Sequence, residues 1–250
     1  MSDIVLALPA GQQLFDWNWV HENSDTINTA FQEHISLVVE AVAIGFLLSL
    51  PIAVLLRRFR WLQTPILGLA GILYTVPGIA ALFLLGPYTG YITRETIEIV
   101  LISYTLLILI RNIITGLDQV SPDVREAARG MGLSPMQMLF RVELPLALPS
   151  IIAGLRIATV TTVGLATFAA LVTQGGLGDL IINQGMTQQF PTAVIAGSVL
   201  AVLLALIADA LFVLLGWLAT PWSRAPRKKA LRAAADEPAA AAEEPVGAVS

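Results

Sequence analysis

The stretch SPDVREAARGMGLSPMQMLFRVELPLALP, Ser121 to Pro149, is a polar insertion between long apolar runs. Ser121-Pro122-Asp123 spells a helix start: a hydroxyl N-cap, a proline at the first helical position and an acid in the first turn. The helix runs through Val124, Glu126, Ala127 and Ala128, and Gly132 stops it. Ser134-Pro135 starts a second short helix through Met136, Met138, Leu139 and Val142, which Leu144-Pro145 ends. Two short helices joined by a glycine turn are therefore expected within a loop spanning 116–149. Gly132 needs a positive φ or a close approach. Met131, Met136 and Met138 offer adaptable apolar contacts. Taken alone, this grammar fits either a docking surface or a plain surface hairpin.

The surroundings of the loop decide the fold class. Of 250 residues, 56% are hydrophobic and only 13% charged, against about 25% charged in soluble domains. The mean hydropathy is +0.77. A soluble domain this apolar could not cover its surface with polar groups. Disordered chains, nucleic-acid binders and ordinary cytosolic enzymes are excluded, and an all-α, multi-span membrane protein is expected. Stretches of roughly 20 apolar residues lie at 35–56, 64–86, 96–115, 150–172 and 192–218, giving five spans. The chain has no cysteine and only two histidines, His21 and His34, so no thiolate chemistry and no His-rich metal cage is expected.

Charge placement orients the spans. The first 34 residues carry five acids and no Lys or Arg, whereas Arg57, Arg58 and Arg60 follow the first span. With five spans, 13 of the 14 basic residues fall on one side, Arg94 being the exception. That side is the cytoplasm by the positive-inside rule, which puts the N-terminus outside and the C-terminus inside. The organisation read from this is an outer arm over 1–34, a membrane domain over 35–218 and a tail over 219–250, basic and then disordered. No cleavable signal peptide is expected. Leu14, Phe15, Trp17 and Trp19 suit either a helix lying in the interface or a poorly ordered arm. Trp61, Trp217 and Trp222 sit where an inner aromatic belt is expected.

At this point the residues resemble a known family. Glu126-Ala127-Ala128, Gly132, Val142 and Leu144-Pro145 are spaced as in the EAA loop of ABC-importer permeases, with Val142 where the family usually has isoleucine. The resemblance continues through Ala153-Gly154-Leu155-Arg156, Gly164-Leu165-Ala166-Thr167 and Gly175-Gly176-Leu177-Gly178. It is similar above all to permeases of glycine betaine, carnitine and choline uptake. The resemblance implies a MetI-like permease architecture in a bacterial or archaeal plasma membrane. It also implies a second permease subunit, a pair of ATPase subunits docked on the loop and an external substrate-binding protein. No cofactor is implied in this chain; ATP and Mg would belong to the ATPase. A P-loop needs a lysine on the phosphates, and the only lysines here are Lys228 and Lys229, in the tail. ATP hydrolysis is therefore expected on another subunit, and no catalytic constellation is found.

Charges inside spans are costly and are paired or functional. Asp209 is expected as a buried structural ion-pair member rather than a substrate-contacting group, with Arg156 or Arg111 as partner at similar depth. Glu40 and Glu98 lie near the outer face, either hydrated at the interface or lining a cation-attracting vestibule. Pro77-Gly78 interrupts the second span, either as a gate or as a packing kink. Gly68, Gly71, Ala80, Ala81, Gly164, Ala166, Ala169 and Ala170 suit close helix packing. Tyr74, Tyr88, Tyr91 and Tyr104 are interfacial anchors or cation–π partners for a quaternary ammonium. Gly175–Pro191 re-enters the membrane, receives a binding protein, or simply connects. Rival readings are an importer permease for another small solute, such as an amino acid, and an ATP-independent channel or secondary carrier.

Overall fold

The computed structural model describes residues 14–90, 93–171 and 175–224, and all regular structure among them is helical. A short α1 (Trp17–Glu22) leads into α2 (Ser24–Arg58). Asp16 caps α1 by accepting from the Asn18 and Trp19 N–H groups. The arm is tied down: the Asp16 N–H donates to Thr192 Oγ1 at 3.0 Å, and the Trp19 ring lies 5.0 Å from that of Phe190. Residues 1–13, Tyr91 and the tail from 225 onward lie outside the described residues.

The span expected over 64–86 is not one helix. α3 (Arg60–Thr75) and α4 (Gly78–Thr89) are separated at Val76-Pro77. Proline has no N–H to donate, and its ring drives the preceding residue out of helical backbone. Pro77 itself turns extended, with φ −57° and ψ 135°, and caps α4. Four helices remain long and apolar enough to cross a membrane: Ser24–Arg58, Arg94–Asp118, Pro135–Leu171 and Pro191–Ala219. The five expected spans thus resolve into four continuous helices and one broken one.

A second difference concerns Leu144-Pro145, which does not end a helix. The chain stays helical from Pro135 to Leu171. Over Leu139–Glu143 the turns widen to π-helix, and the Leu144 N–H bonds the Leu139 carbonyl five residues back. Pro145 follows this widened turn directly, as the second residue of α8 (Leu144–Phe168), and the helix continues through it. The second loop helix is therefore continuous with the fourth span.

The core forms where α2, α5 (Arg94–Asp118) and α8 pack together. One apolar cluster joins Leu37, Ala41, Ile97, Leu101, Val163 and Ala166; another joins Ala53, Leu56, Ile113, Leu117, Ala147 and Ile151. α5 and α8 approach closely through missing side chains. A Cβ at Gly154 would lie 2.6 Å from Asn112 Cβ, and one at Gly116 would lie 2.9 Å from the Ala147 carbonyl oxygen. Ala166, Ala169 and Ala170 are buried as expected of small packing residues. Gly68 and Gly164 face open space instead, so within this chain they mediate no close packing.

Gly175–Pro191 is neither an open loop nor a polar one in its setting. α9 (Gly176–Asp179) and a π-helical run over Leu180–Met186 pack against α2, α8 and α10 (Pro191–Ala219). Leu177 and Leu180 are fully buried. Glu33 Oε2 accepts the Gly176 N–H at 2.9 Å, and the buried His34 Nε2–H donates to the Val163 carbonyl at 3.2 Å. α10 packs on α8, yet no residue of its most apolar stretch is buried by this chain.

Candidate functional site: the helical loop and the charges on the apolar helices

α6 (Pro122–Gly130) starts where the sequence places it. Ser121 Oγ accepts the Val124 N–H at 3.3 Å, with Pro122 in the first turn. Its end is a Schellman turn: Leu133 N–H bonds the Ala128 carbonyl at 3.2 Å and Gly132 N–H bonds the Arg129 carbonyl at 2.9 Å. Gly132 has φ +79°, and a Cβ there would meet nothing within 4 Å. Left-handed backbone, not close approach, is therefore what requires glycine. α7 (Pro135–Met138) opens with a full capping box between Ser134 and Gln137. Sequence reading passed over Gln137, although its position three residues after Ser134 is the capping-box signal.

The loop has an inside and an outside. Ala128 is buried against the protein, while Glu126 and Ala127 are exposed; Val142, Leu144 and Pro145 are half-buried. Met138 is buried rather than available for contact. Val124, Met131, Met136 and Phe140 are exposed apolar side chains on this loop, and Val124 and Phe140 were not anticipated as contact residues.

What fixes the loop to the spans is Glu143, a residue the sequence reading did not single out. Arg57, at the end of α2, donates two hydrogen bonds to its carboxylate, both at 2.8 Å. Arg125 of α6 places Nε 2.9 Å from Glu143 Oε1 as an ion-pair contact, and its NH2 donates to the Leu117 carbonyl at 2.7 Å. Asp118 at the end of α5 faces both Arg57 and Arg60 at 3.6 Å. One buried carboxylate thus joins the ends of α2, α6 and the fourth span.

Asp209 pairs with Arg156 and not with Arg111. Arg156 Nε and NH2 donate to the two Asp209 oxygens at 2.8 and 2.9 Å. The expectation of burial is not met: the side chains are 39% and 35% exposed, because α8 and α10 hold them on the flank of the bundle. Arg111 instead lines a cleft of about 730 Å³ with Gln63, Thr64 and Asp118, between α3 and α5. At the opposite end, Arg94 bridges Glu98 at 2.6 Å and Glu40 at 2.7 Å. Glu40 and Glu98 are therefore both ion-paired.

The break at Pro77-Gly78 frees the Val76 carbonyl, which accepts the Tyr104 hydroxyl. Tyr74 stacks at a tilt on Tyr104 with centroids 5.3 Å apart, beside an apolar cavity of about 430 Å³. Among the described residues no cluster of His, Asp or Glu has the makings of a metal site.

Comparison with known proteins bears on the family and the fold. The chain is 36% identical over 196 residues to the osmoprotectant import permease protein OsmW of Salmonella typhimurium, covering 77% of this chain and 91% of the relative. It is 35% identical to the choline transport system permease protein OpuBB of Bacillus subtilis, covering 71% and 81%. The glycine betaine/carnitine/choline transport system permease protein OpuCD of the same organism is 32% identical, with 83% and 89% covered. Among solved structures, an inward-facing form of the MetNI methionine ABC transporter shares the fold, with a TM-score of 0.73 at 22% identity over 82% of this chain and all of that one. An amino acid ABC transporter crystallised with histidines gives 0.66 at 18% identity, covering 80% and 97%. Residues 41–217 match the family of binding-protein-dependent transport system inner membrane components, and the chain, with its four apolar helices and one broken one, belongs to that family of ABC-importer permeases.

Proposed function

We propose that this permease forms half of a solute pathway in an ATP-driven importer for quaternary-amine osmoprotectants: glycine betaine, carnitine or choline. The partners are a second permease subunit, an external binding protein and a pair of ATPases that hold the ATP and Mg. The arm over 1–34 lies outside, the permease domain spans 35–218, and the tail over 219–250 lies in the cytoplasm. The substrate class rests on the names of the relatives.

The observation that carries the coupling role is the rigid mounting of the inner loop. A lever must keep its angle under load. The Schellman turn at Gly132 sets the angle between α6 and α7, and the Glu143 ion pairs tie both to α2 and to the fourth span. Outward from this mount point Glu126, Ala127 and the apolar side chains Val124, Met131, Met136 and Phe140. Ala127 permits close approach, Glu126 offers a partner for a basic group on the ATPase, and the methionines adapt to its groove. Movement of the ATPases then reaches the pathway through a helix continuous from Pro135 to Leu171. The break at Pro77-Gly78 and the charges Arg111, Arg156 and Asp209 are the gating candidates on the membrane side.

The test is uptake of radiolabelled glycine betaine, carnitine, choline and proline by the transporter reconstituted with its partner subunits. ATP-dependent uptake of a quaternary amine is expected, and uptake of proline alone would overturn the substrate class. Glu126→Lys should abolish uptake while the complex still inserts; normal uptake by that variant would sink the docking assignment.

A further inference from the structure

The Arg156–Asp209 pair is placed oddly for a structural strut. Arg156 is the central residue of α8, twelve positions from Leu144 and from Phe168. Asp209 stands ten residues from the inner end of α10, about 15 Å along the axis. Both therefore lie within the apolar runs expected to cross the membrane, 150–172 and 192–218, Arg156 six residues and Asp209 nine residues from the ends that carry the arginines. Yet they are more than a third exposed, whereas the side chains of Arg57 and Glu143 are 16% and 10% exposed. The pair opens onto a groove of about 410 Å³ walled by Ala153, Ile157, Val160 and Thr161. A charge pair at this depth facing lipid is costly; such groups face protein or a water-filled cavity.

We infer that Arg156 and Asp209 form a transient binding site for a zwitterion on the solute pathway, with Arg156 taking its carboxylate and Asp209 its quaternary ammonium. This rests on the osmoprotectant reading above. The guanidinium already presents Nε and NH2 as a bidentate fork, the geometry a carboxylate requires. When solute arrives, one internal ion pair is exchanged for two ion pairs with the solute. When it leaves, the side chains satisfy each other. Neither state strands an unpaired charge in apolar surroundings, which is the expensive outcome. A site that neutralises itself on emptying binds weakly enough to release its cargo. A cation without a carboxylate gains only the Asp209 contact and leaves Arg156 unpaired, so the site discriminates against it.

The experiment uses the whole transporter, with its partner subunits, in proteoliposomes. Arg156→Gln should raise KM for glycine betaine at least about tenfold while KM for choline stays the same or falls, because Asp209 no longer has Arg156 to give up. A merely structural pair would shift both solutes together, and an equal shift, or none, overturns the site. The second measurement does not depend on a charge variant that folds. This chain has no cysteine, so Ile157→Cys puts a single thiol in its groove. A membrane-impermeant thiol reagent should modify it, and saturating glycine betaine should slow that reaction several-fold. No modification, or modification indifferent to glycine betaine, places the groove against lipid or a buried interface and overturns the site. A wild-type transporter that imports no quaternary amine overturns the substrate reading and this site with it. Import with unchanged selectivity in Arg156→Gln overturns the site alone.

Discussion

Arg57 and Glu143 meet through two parallel hydrogen bonds of 2.8 Å, and this contact ties the C-terminal end of α2 to the start of α8. Two arginines converge on the one carboxylate, so deleting it leaves half-buried Arg57 with only the 3.6 Å Asp118 contact and Arg125 with only the Leu117 carbonyl. Removing one member of a buried pair costs about 3 kcal/mol. Glu143→Ala should therefore lower the thermal stability of the purified complex clearly. In a double-mutant cycle, Arg57→Ala should cost much less once Glu143 is gone. Additive losses would show that the contact carries no coupling.

At Gly132 the backbone sits at φ +79° with open space around it. Gly132→Ala should cost about 1–2 kcal/mol from left-handed backbone alone, with no steric clash. Gly132→Asn should cost less, because asparagine tolerates that region. Gly132→Pro demands φ near −65°, so it should change the angle between α6 and α7. The expected readout is ATP-dependent uptake lost with membrane insertion intact. Uptake at the normal rate in the proline variant would show that the turn angle does not matter for coupling.

The α5–α8 crossing offers a contrast between two glycines. Gly154→Ala should destabilise, because its Cβ would sit 2.6 Å from Asn112 Cβ in a core helix. Gly68→Ala meets nothing within 4 Å and replaces a poor helix former inside α3. It should be neutral or stabilising, by up to about 1 kcal/mol. Thermal unfolding of the two variants decides this, and equal effects would mean that the crossing is looser than the distances indicate. A destabilising Gly68→Ala would instead mean that a second subunit covers that face.

Much of this arrangement was legible because it depends on short-range chemistry. Ser121, Ser134 and Gly132 act within a turn of their own positions, so cap and stop signals locate α6 and α7. Apolar runs locate spans for the same reason. Three features were hidden because they depend on tertiary context. Pro77 and Pro145 carry the same local signal, yet one breaks a helix and the other rides through it. The difference is the π-helical run over Leu139–Glu143, which directly precedes Pro145 and ends on Glu143, the residue that Arg57 and Arg125 hold. Asp209 has two arginines at suitable depth, and only helix packing chooses Arg156. Glu143 reads as an ordinary loop acid until residues 57 and 125, distant in sequence, close around it.

The break in the second span makes its own prediction through Tyr104. Pro77 leaves the Val76 carbonyl without a helical partner, and the Tyr104 hydroxyl supplies one. The site borders an apolar cavity of about 430 Å³, so water is a poor substitute. Tyr104→Phe should therefore cost about 1–3 kcal/mol, the penalty for an unsatisfied acceptor. Pro77→Ala restores an N–H and lifts the restriction on Val76, which lets α3 and α4 approach a continuous helix. In that background the Val76 carbonyl regains a helical donor, and Tyr104→Phe should cost much less. Thermal unfolding of the wild type, the two single variants and the double variant gives the cycle. Strict additivity would mean that the hydroxyl is not compensating for the proline. Coupling of at least about 1 kcal/mol would tie Tyr104 to the break. Transport by Pro77→Ala separates the two roles for this break: a gate slows uptake in a stable complex, whereas a packing kink leaves uptake unchanged.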